Sequence, residues 1–251
     1  LLAGYNKHKA FIKSLNTSVS MKLLTNLVPK SNKVGRQGKI KNKLRQAQKL
    51  KRLLKEKWPE KYWFLAQFSD LEKVESLLKY PKTESRQLPE LENENLSSFL
   101  LADQCFVLPN DMLKKVDLMS MRHSLEVRTP FLDKDFVKFV NSLPDEYKYD
   151  KGKGKVLLRS IFGDTLPKEI FNRPKQGFEV PLEKWIKASW QKSNIDDWWN
   201  PDFIAQQDLF SWDELANLKT VFWSKAPGES PVLVWCLIVF QNWYQRWMVK
   251  K

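Results

Sequence analysis

Apolar residues in this chain recur at three- and four-residue spacing nearly throughout, and period-two alternation is almost absent. A half-buried strand needs that alternation, because successive side chains leave opposite faces of a sheet. A sheet-dominated fold is therefore excluded, and the chain reads as mainly α. One helical series runs from Phe11 to Val28 through Ile12, Leu15, Val19, Leu23 and Leu27, and Pro29 stops it. Two more cover Lys61 to Lys79 and Asn95 to Val107, with a polar, proline-interrupted loop over 80–95. The longest apolar run, Val232 to Phe240, is about half of the ~20 residues a membrane helix needs, and Gln241, Asn242, Gln245 and Arg246 follow at once. It reads as a buried helix with Pro231 in its first turn, and no membrane partner is expected.

The densest stretch is Asp111 to Asp133, DMLKKVDLMSMRHSLEVRTPFLD. Met112, Val116 and Met119 set a helix that Asn110 or Asp111 can cap. Pro130 drives Thr129 toward extended geometry, so the helix must stop before it. Glu126, Arg128 and Asp133 then stand among apolar neighbours. An arginine between two carboxylates can hold both by bidentate hydrogen bonds. That predicts an ion-pair clamp at a helix end, or the floor of a catalytic cleft. After it come a short helix over 135–143, closed by Pro144, and a further turn of helix from Leu166-Pro167.

The 43 Lys and Arg outnumber the 29 Asp and Glu, giving a net charge of +14. That balance calls for an anionic partner without saying which. Lys30 to Trp58 holds about a dozen cations against the single Glu56, with Ile40, Leu44, Ala47, Leu50 and Leu54 on one helical face. It reads as a solvated cationic helix, or else as a nucleic-acid or acidic-lipid patch. Trp58, Tyr62, Trp63 and Phe64 follow the run instead of interleaving with it, so they read as core and no nucleic acid is expected. The two cysteines, Cys105 and Cys236, make no disulfide framework, which fits a reducing, cytoplasmic setting. The N-terminus has no secretory-signal pattern. Neither His8 nor His123 has ligands at metal-binding spacing, so no zinc site is expected. Ser124 beside His123 points away from it on a helix, and no GxGxxG fingerprint is present.

Two glycine–lysine segments carry more chemistry. Gly152-Lys153-Gly154-Lys155 precedes the apolar helical run Val156 to Phe162. Glycines admit close backbone approach, a helix start offers free N–H groups, and lysine adds charge, although the Walker spacing is absent. Arg173-Pro174-Lys175-Gln176-Gly177 is stiff, extended and cationic. From Trp185 onward the chain is tryptophan-rich at amphipathic spacing, and these residues read as packing. Leu1-Leu2-Ala3-Gly4-Tyr5 reads as the middle of a helix or turn, as in a piece of a longer chain.

Several of these pieces stand in one order: Leu108-Pro109, Lys115-Val116-Asp117, Met119-Ser120-Met121, Ser124-Leu125-Glu126-Val127-Arg128, Pro130-Phe131-Leu132-Asp133, Lys155 with Leu158-Arg159, Leu166-Pro167, and Arg173-Pro174-Lys175 with Gly177-Phe178, Val180-Pro181 and Trp185. That set resembles the synthetase half of glutamine-dependent asparagine synthetases, and LLAGY resembles the tail of a family motif that begins Asp-Glu. The resemblance implies the helical C-terminal portion of an α/β ATP-pyrophosphatase-type (adenine nucleotide α-hydrolase-like) domain whose sheet and ATP loop lie mostly upstream. Residues 1–251 would then be a single helical unit, with the ATP-loop segment and the N-terminal glutaminase domain absent.

It further implies ATP, aspartate and glutamine-derived ammonia as substrates, with Mg²⁺ held by ligands upstream of Leu1 and none here. A homodimer remains open. Lys175 resembles the family's catalytic lysine at the phosphate and acyl-adenylate, Lys155 a second lysine near pyrophosphate, and Glu126, Arg128 and Asp133 the supporting clamp. A relative adenylating another carboxylate, such as a β-lactam-forming or peptide-modifying synthetase, fits the same motifs. A basic nucleic-acid-binding helical module is the alternative of another class.

Overall fold

The computed structural model describes residues 2–17, 47–81, 93–172 and 180–249. These residues gather into two compact units.

The first unit is organised on Phe99. The rings of Phe11, Tyr62 and His8 stand 4.6, 5.1 and 5.6 Å from it. Phe11, Tyr62 and Phe99 are fully buried, with Leu53 and Ala102 beside them. Burying each large apolar side chain contributes roughly 1.5–3 kcal/mol, so this cluster dominates the unit's stability. Its helices are Asn6–Leu15, Glu60–Ala66 and Leu96–Cys105. Asn95 starts the last by accepting from the Ser98 N–H at 2.8 Å.

Several expected boundaries shift. The first helix begins at Asn6 and closes where the Asn16 N–H meets the Ile12 carbonyl at 3.1 Å; 18–28 lie outside the described residues. Of the basic run, 30–46 also lie outside, and 47–53 are helical, with Leu53 on the core. The stretch Lys61 to Lys79 is not one helix but two, Glu60–Ala66 and Leu71–Leu77, because Asp70 takes extended geometry between them.

The central segment enters through a π-helical turn, Leu108–Leu113, that runs directly into the helix Lys114–Met121. There is thus no free helix start to cap. Asn110 instead donates its side-chain amide to the Phe106 carbonyl at 2.9 Å. The helix ends at Met121 in a Schellman arrangement: Ser124 N–H to Met121 and Leu125 N–H to Ser120, both at 3.0 Å, with Ser124 left-handed at φ 54°. Pro130–Leu132 form one 3₁₀ turn, and Lys134–Ser142 and Asp145–Lys148 are helical.

Next comes an antiparallel hairpin, Tyr149–Asp150 against Lys153–Gly154. Both turn residues, Lys151 (φ 43°) and Gly152 (φ 82°), are left-handed, as a two-residue type I′ turn requires. The glycine–lysine segment is therefore a hairpin, the sole named sheet among the described residues. Helices Val156–Phe162 and Lys168–Asn172 follow it.

The second unit packs Leu71–Leu77, Leu182–Ser189, Trp212–Trp223 and Ser230–Tyr244 around Trp190, Trp198, Trp199, Phe222 and Leu237. The Trp190 indole N–H donates to Asp196 at 3.1 Å, which satisfies a buried donor. The Gln207 and Gln241 side-chain amides pair reciprocally at 2.9 Å inside this unit. Packing accounts for only some of the tryptophans: Trp185, Trp223, Trp235, Trp243 and Trp247 are exposed. Pro231 sits in the first turn of the last long helix, as its sequence indicates. No described helix is long and apolar enough to cross a membrane.

Candidate active site

The ends of two distant segments meet in the first unit. Leu2, Ala3 and Gly4 are not helical and lead into the helix that starts after Tyr5, so of the expected helix or turn the helix is ruled out. Ala3 is buried and left-handed at φ 51°. The Lys155 N–H donates to both the Leu2 and Lys148 carbonyls, each at 2.9 Å. Gly154 lies so close to Ala3 that a Cβ there would run into the Ala3 carbonyl. The Lys155 stem crosses Gly4, where a Cβ would stand 3.0 Å from Lys155 Cε. Glycine is needed at 154 for this close approach, whatever its own dihedrals.

A hollow of about 320 Å³ opens at this junction, with Gly4, Tyr5, His8, Asp103, Gln104 and Lys155 on its polar side. Met112, Phe131 and Leu158 supply apolar wall. Lys155 itself occupies the position before the helix Val156–Phe162 in a left-handed conformation, φ 60° and ψ 40°, and the residue is exposed. Convergent polar groups in a partly apolar cleft of this size are what small-ligand sites offer.

Behind the hollow lies a buried polar network. His8 Nδ1 accepts the Tyr5 N–H at 3.2 Å, so its Nε2 carries the proton donated to Asp103 Oδ2 at 2.8 Å. Lys7 Nζ donates to Asp103 Oδ1 at 2.5 Å. Burial holds the His8 pKa below the usual imidazole value, against the raising effect of Asp103. Burial also opposes the charged form of Asp103, but the His8 hydrogen bond and the Lys7 charge outweigh it and hold the carboxyl below its ordinary range. The Tyr62 hydroxyl donates to the Ala102 carbonyl at 3.2 Å, and burial with the nearby Asp103 pushes its pKa up. Sequence spacing gives no sign of the His8–Asp103 pair, because its members are 95 residues apart.

Arg159 ties the Lys155 segment to the next one. Its Nε donates to the Gly154 carbonyl at 3.0 Å, one of its terminal nitrogens donates to the Phe171 carbonyl at 3.2 Å, and its guanidinium lies 5.6 Å from the Phe171 ring centroid. Phe171 precedes Lys175 by four residues in the sequence. Lys175 itself, with the rest of 173–179, lies outside the described residues.

The expected clamp takes a different form. Arg128 pairs with Glu126, and both side chains are exposed, at 87% and 71%. Asp133 instead caps the helix Lys134–Ser142, accepting from the Asp135 and Phe136 N–H groups at 3.0 and 3.1 Å. A carboxylate there answers the helix's unpaired N–H groups and its dipole. Glu126 and Arg128 line a second, wider hollow of about 820 Å³ with Asp117, Ser120 and Ser124. Among the described residues no three His, Cys, Asp or Glu side chains converge as a metal site.

A family model described as asparagine synthase matches residues 1–245. The chain belongs to the asparagine synthase family. It is 32% identical over 142 residues to asparagine synthetase [glutamine-hydrolyzing] 1 of Bacillus subtilis, a match covering 53% of this chain and 21% of that protein. It is 43% identical over 79 residues to the glutamine-hydrolyzing asparagine synthetase of Gallus gallus, covering 30% of this chain and 14% of that one. The matched stretch thus spans about a fifth or less of these relatives' length. No solved structure matches the chain. In this asparagine synthase chain, the motif pieces at Leu2–Tyr5 and Gly154–Lys155, far apart in sequence, form one junction around a hollow.

Proposed function

We propose that this chain is the helical part of an α/β ATP-pyrophosphatase-type synthetase domain that amidates aspartate to asparagine. The side-chain carboxylate of aspartate attacks the α-phosphorus of ATP, the bond to the departing diphosphate breaks, and aspartyl-AMP forms. Ammonia derived from glutamine then attacks the acyl carbon, AMP leaves and a proton is lost. Negative charge grows on the leaving diphosphate, and fixed cations aimed at it lower the barrier without reorganising. Lys155, at the mouth of the 320 Å³ hollow, is the described cation suited to that task, and Lys175 is its expected companion. Glu126 and Arg128 line the neighbouring hollow and support the loop between helices.

The observation that carries this reading is the junction itself. The Lys155 N–H donates to the Leu2 carbonyl and the Lys155 stem rests over Gly4, so two family motifs share one cavity. The reading is tested by ATP–pyrophosphate exchange in the protein expressed from its complete gene, with a panel of carboxylic acids. Exchange that depends on aspartate is expected. Exchange with other carboxylates and none with aspartate would move the chain to the relatives that adenylate a different acid, and no exchange with any acid would end the adenylation reading.

A further inference from the structure

We propose that the buried His8–Asp103 pair is a positioning device for the diphosphate end of the site, holding the Leu2–Tyr5 segment on which Lys155 rests. The inference rests on the adenylation reading above. Its geometry is a chain of contacts. Asp103 projects from the helix Leu96–Cys105 and accepts from His8 Nε2 at 2.8 Å. His8 Nδ1 accepts the Tyr5 N–H at 3.2 Å, and the His8 N–H returns to the Tyr5 carbonyl at 3.2 Å. Tyr5 follows Gly4, over which the Lys155 stem lies, and the Leu2 carbonyl takes the Lys155 N–H. His8 and Asp103 both line the hollow that Lys155 enters.

The arrangement works in only one protonation state of the imidazole. Neutral His8 has an acceptor at Nδ1 for Tyr5 and a donor at Nε2 for Asp103. Protonation puts a hydrogen on Nδ1, which then opposes the Tyr5 N–H and releases that segment. The charged or titratable groups around the ring are Asp103 from the helix behind it, Lys7 and Tyr5 from its own segment, and Tyr62 across Asp103. Lys155 faces the same hollow, and Asp111 acts at longer range on Tyr5. The lowered pKa of His8 agrees with an imidazole kept neutral at physiological pH.

His8 stands at the third position of its helix, where glutamine ordinarily reaches back to the N-cap N–H. His8→Gln therefore keeps the acceptor for Tyr5 and a donor for Asp103 but does not titrate. The test is aspartate-dependent ATP–pyrophosphate exchange from pH 5.5 to 9 for wild type, His8→Ala, His8→Gln, Lys155→Ala and the double variant His8→Ala/Lys155→Ala. His8→Ala is expected to lower exchange about tenfold by displacing Lys155, with the same split between kcat and KM as Lys155→Ala shows. It should add no further loss in the Lys155→Ala background, as groups acting through one another do not add. His8→Gln should restore the wild-type exchange rate and flatten the acid limb of the profile.

Losses that simply multiply in the double variant, or a His8→Gln protein with an unchanged acid limb, overturn the proposal and leave the adenylation reading intact. Wild-type exchange in Lys155→Ala removes Lys155 from the site and overturns the proposal, while no exchange with any acid in the wild type ends the adenylation reading itself. If His8→Ala gives no folded protein, the His8→Gln profile alone decides by the same criterion.

Discussion

Lys175→Ala is expected to lower aspartate-dependent ATP–pyrophosphate exchange by about 10²- to 10³-fold, the cost of removing one donor aimed at developing transition-state charge. The same substitution at Lys155 should cost less, about tenfold, because an exposed side chain is partly replaced by water. Arginine at either position keeps the charge but spreads it over a planar fork, and recovery should be partial. The readout is initial exchange rate against pyrophosphate concentration in the protein from its complete gene. A loss confined to kcat places the lysine at the charge that grows as the bond breaks. A loss confined to KM places it in ground-state binding of the diphosphate. Exchange at the wild-type rate in Lys175→Ala removes that residue from the mechanism.

Gly154→Ala is expected to be the most damaging single-methyl change in the first unit. The added Cβ runs into the Ala3 carbonyl oxygen and stands 3.0 Å from its carbon. Ala3 has little room to retreat: it is 1% exposed and packed with Leu96 and Leu100. Overpacking of this kind costs about 1–3 kcal/mol, which lowers Tm by several degrees in a domain of this size. The hydrogen bond from Lys155 to Leu2 must lengthen as the segments part, so exchange should fall along with stability. Gly152→Asn is the control. Gly152 is left-handed at φ 82° with open space around it, and asparagine tolerates that turn position. Its Tm and exchange rate should stay close to wild type. Equal Tm for Gly154→Ala and wild type would mean that Leu2–Gly4 does not pack on the hairpin.

Much of the fold is legible in spacing alone. Phe136, Val137 and Val140 define a helix that forms over Lys134–Ser142, and Ser230-Pro231 starts the long helix at the expected place. Spacing fails where geometry depends on partners. Nothing in the apolar pattern of 61–79 marks the extended Asp70 that divides it. Asn110 and Asp111 carry the chemistry of a cap, but the π-helical turn leaves no free helix start there. The exposed Trp235, Trp243 and Trp247 stand eight and four residues apart, an amphipathic spacing that looks like core, although the packed face of the helix Ser230–Tyr244 is the one bearing Val234 and Leu237.

The site divides the same way. Lys155 stands out locally, as a cation beside glycines before a helix. Its setting does not, because the Leu2 carbonyl and Gly4 come from the other end of the first unit's sequence. Arg128 between Glu126 and Asp133 suggests one clamp, and the chain resolves it into an exposed ion pair and a helix cap. The reason is the turn Pro130–Leu132, which carries Asp133 to the start of the next helix. His8 looks isolated in sequence, yet it is 2% exposed and bonded to a carboxylate that no short-range pattern connects to it.

Protection of single lysines from an amine-reactive reagent tests most directly whether Lys155 and Lys175 share a nucleotide's diphosphate. The rate of modification at each lysine is read by peptide mass spectrometry, with and without saturating Mg-ATP, in the protein from its complete gene. The expected result is that Lys155 and Lys175 slow together with ATP and with pyrophosphate, while a lysine that lines neither hollow, such as Lys219, is unchanged. Unaltered labelling of Lys155 at saturating ATP, in protein that still exchanges pyrophosphate, would contradict its place in the site.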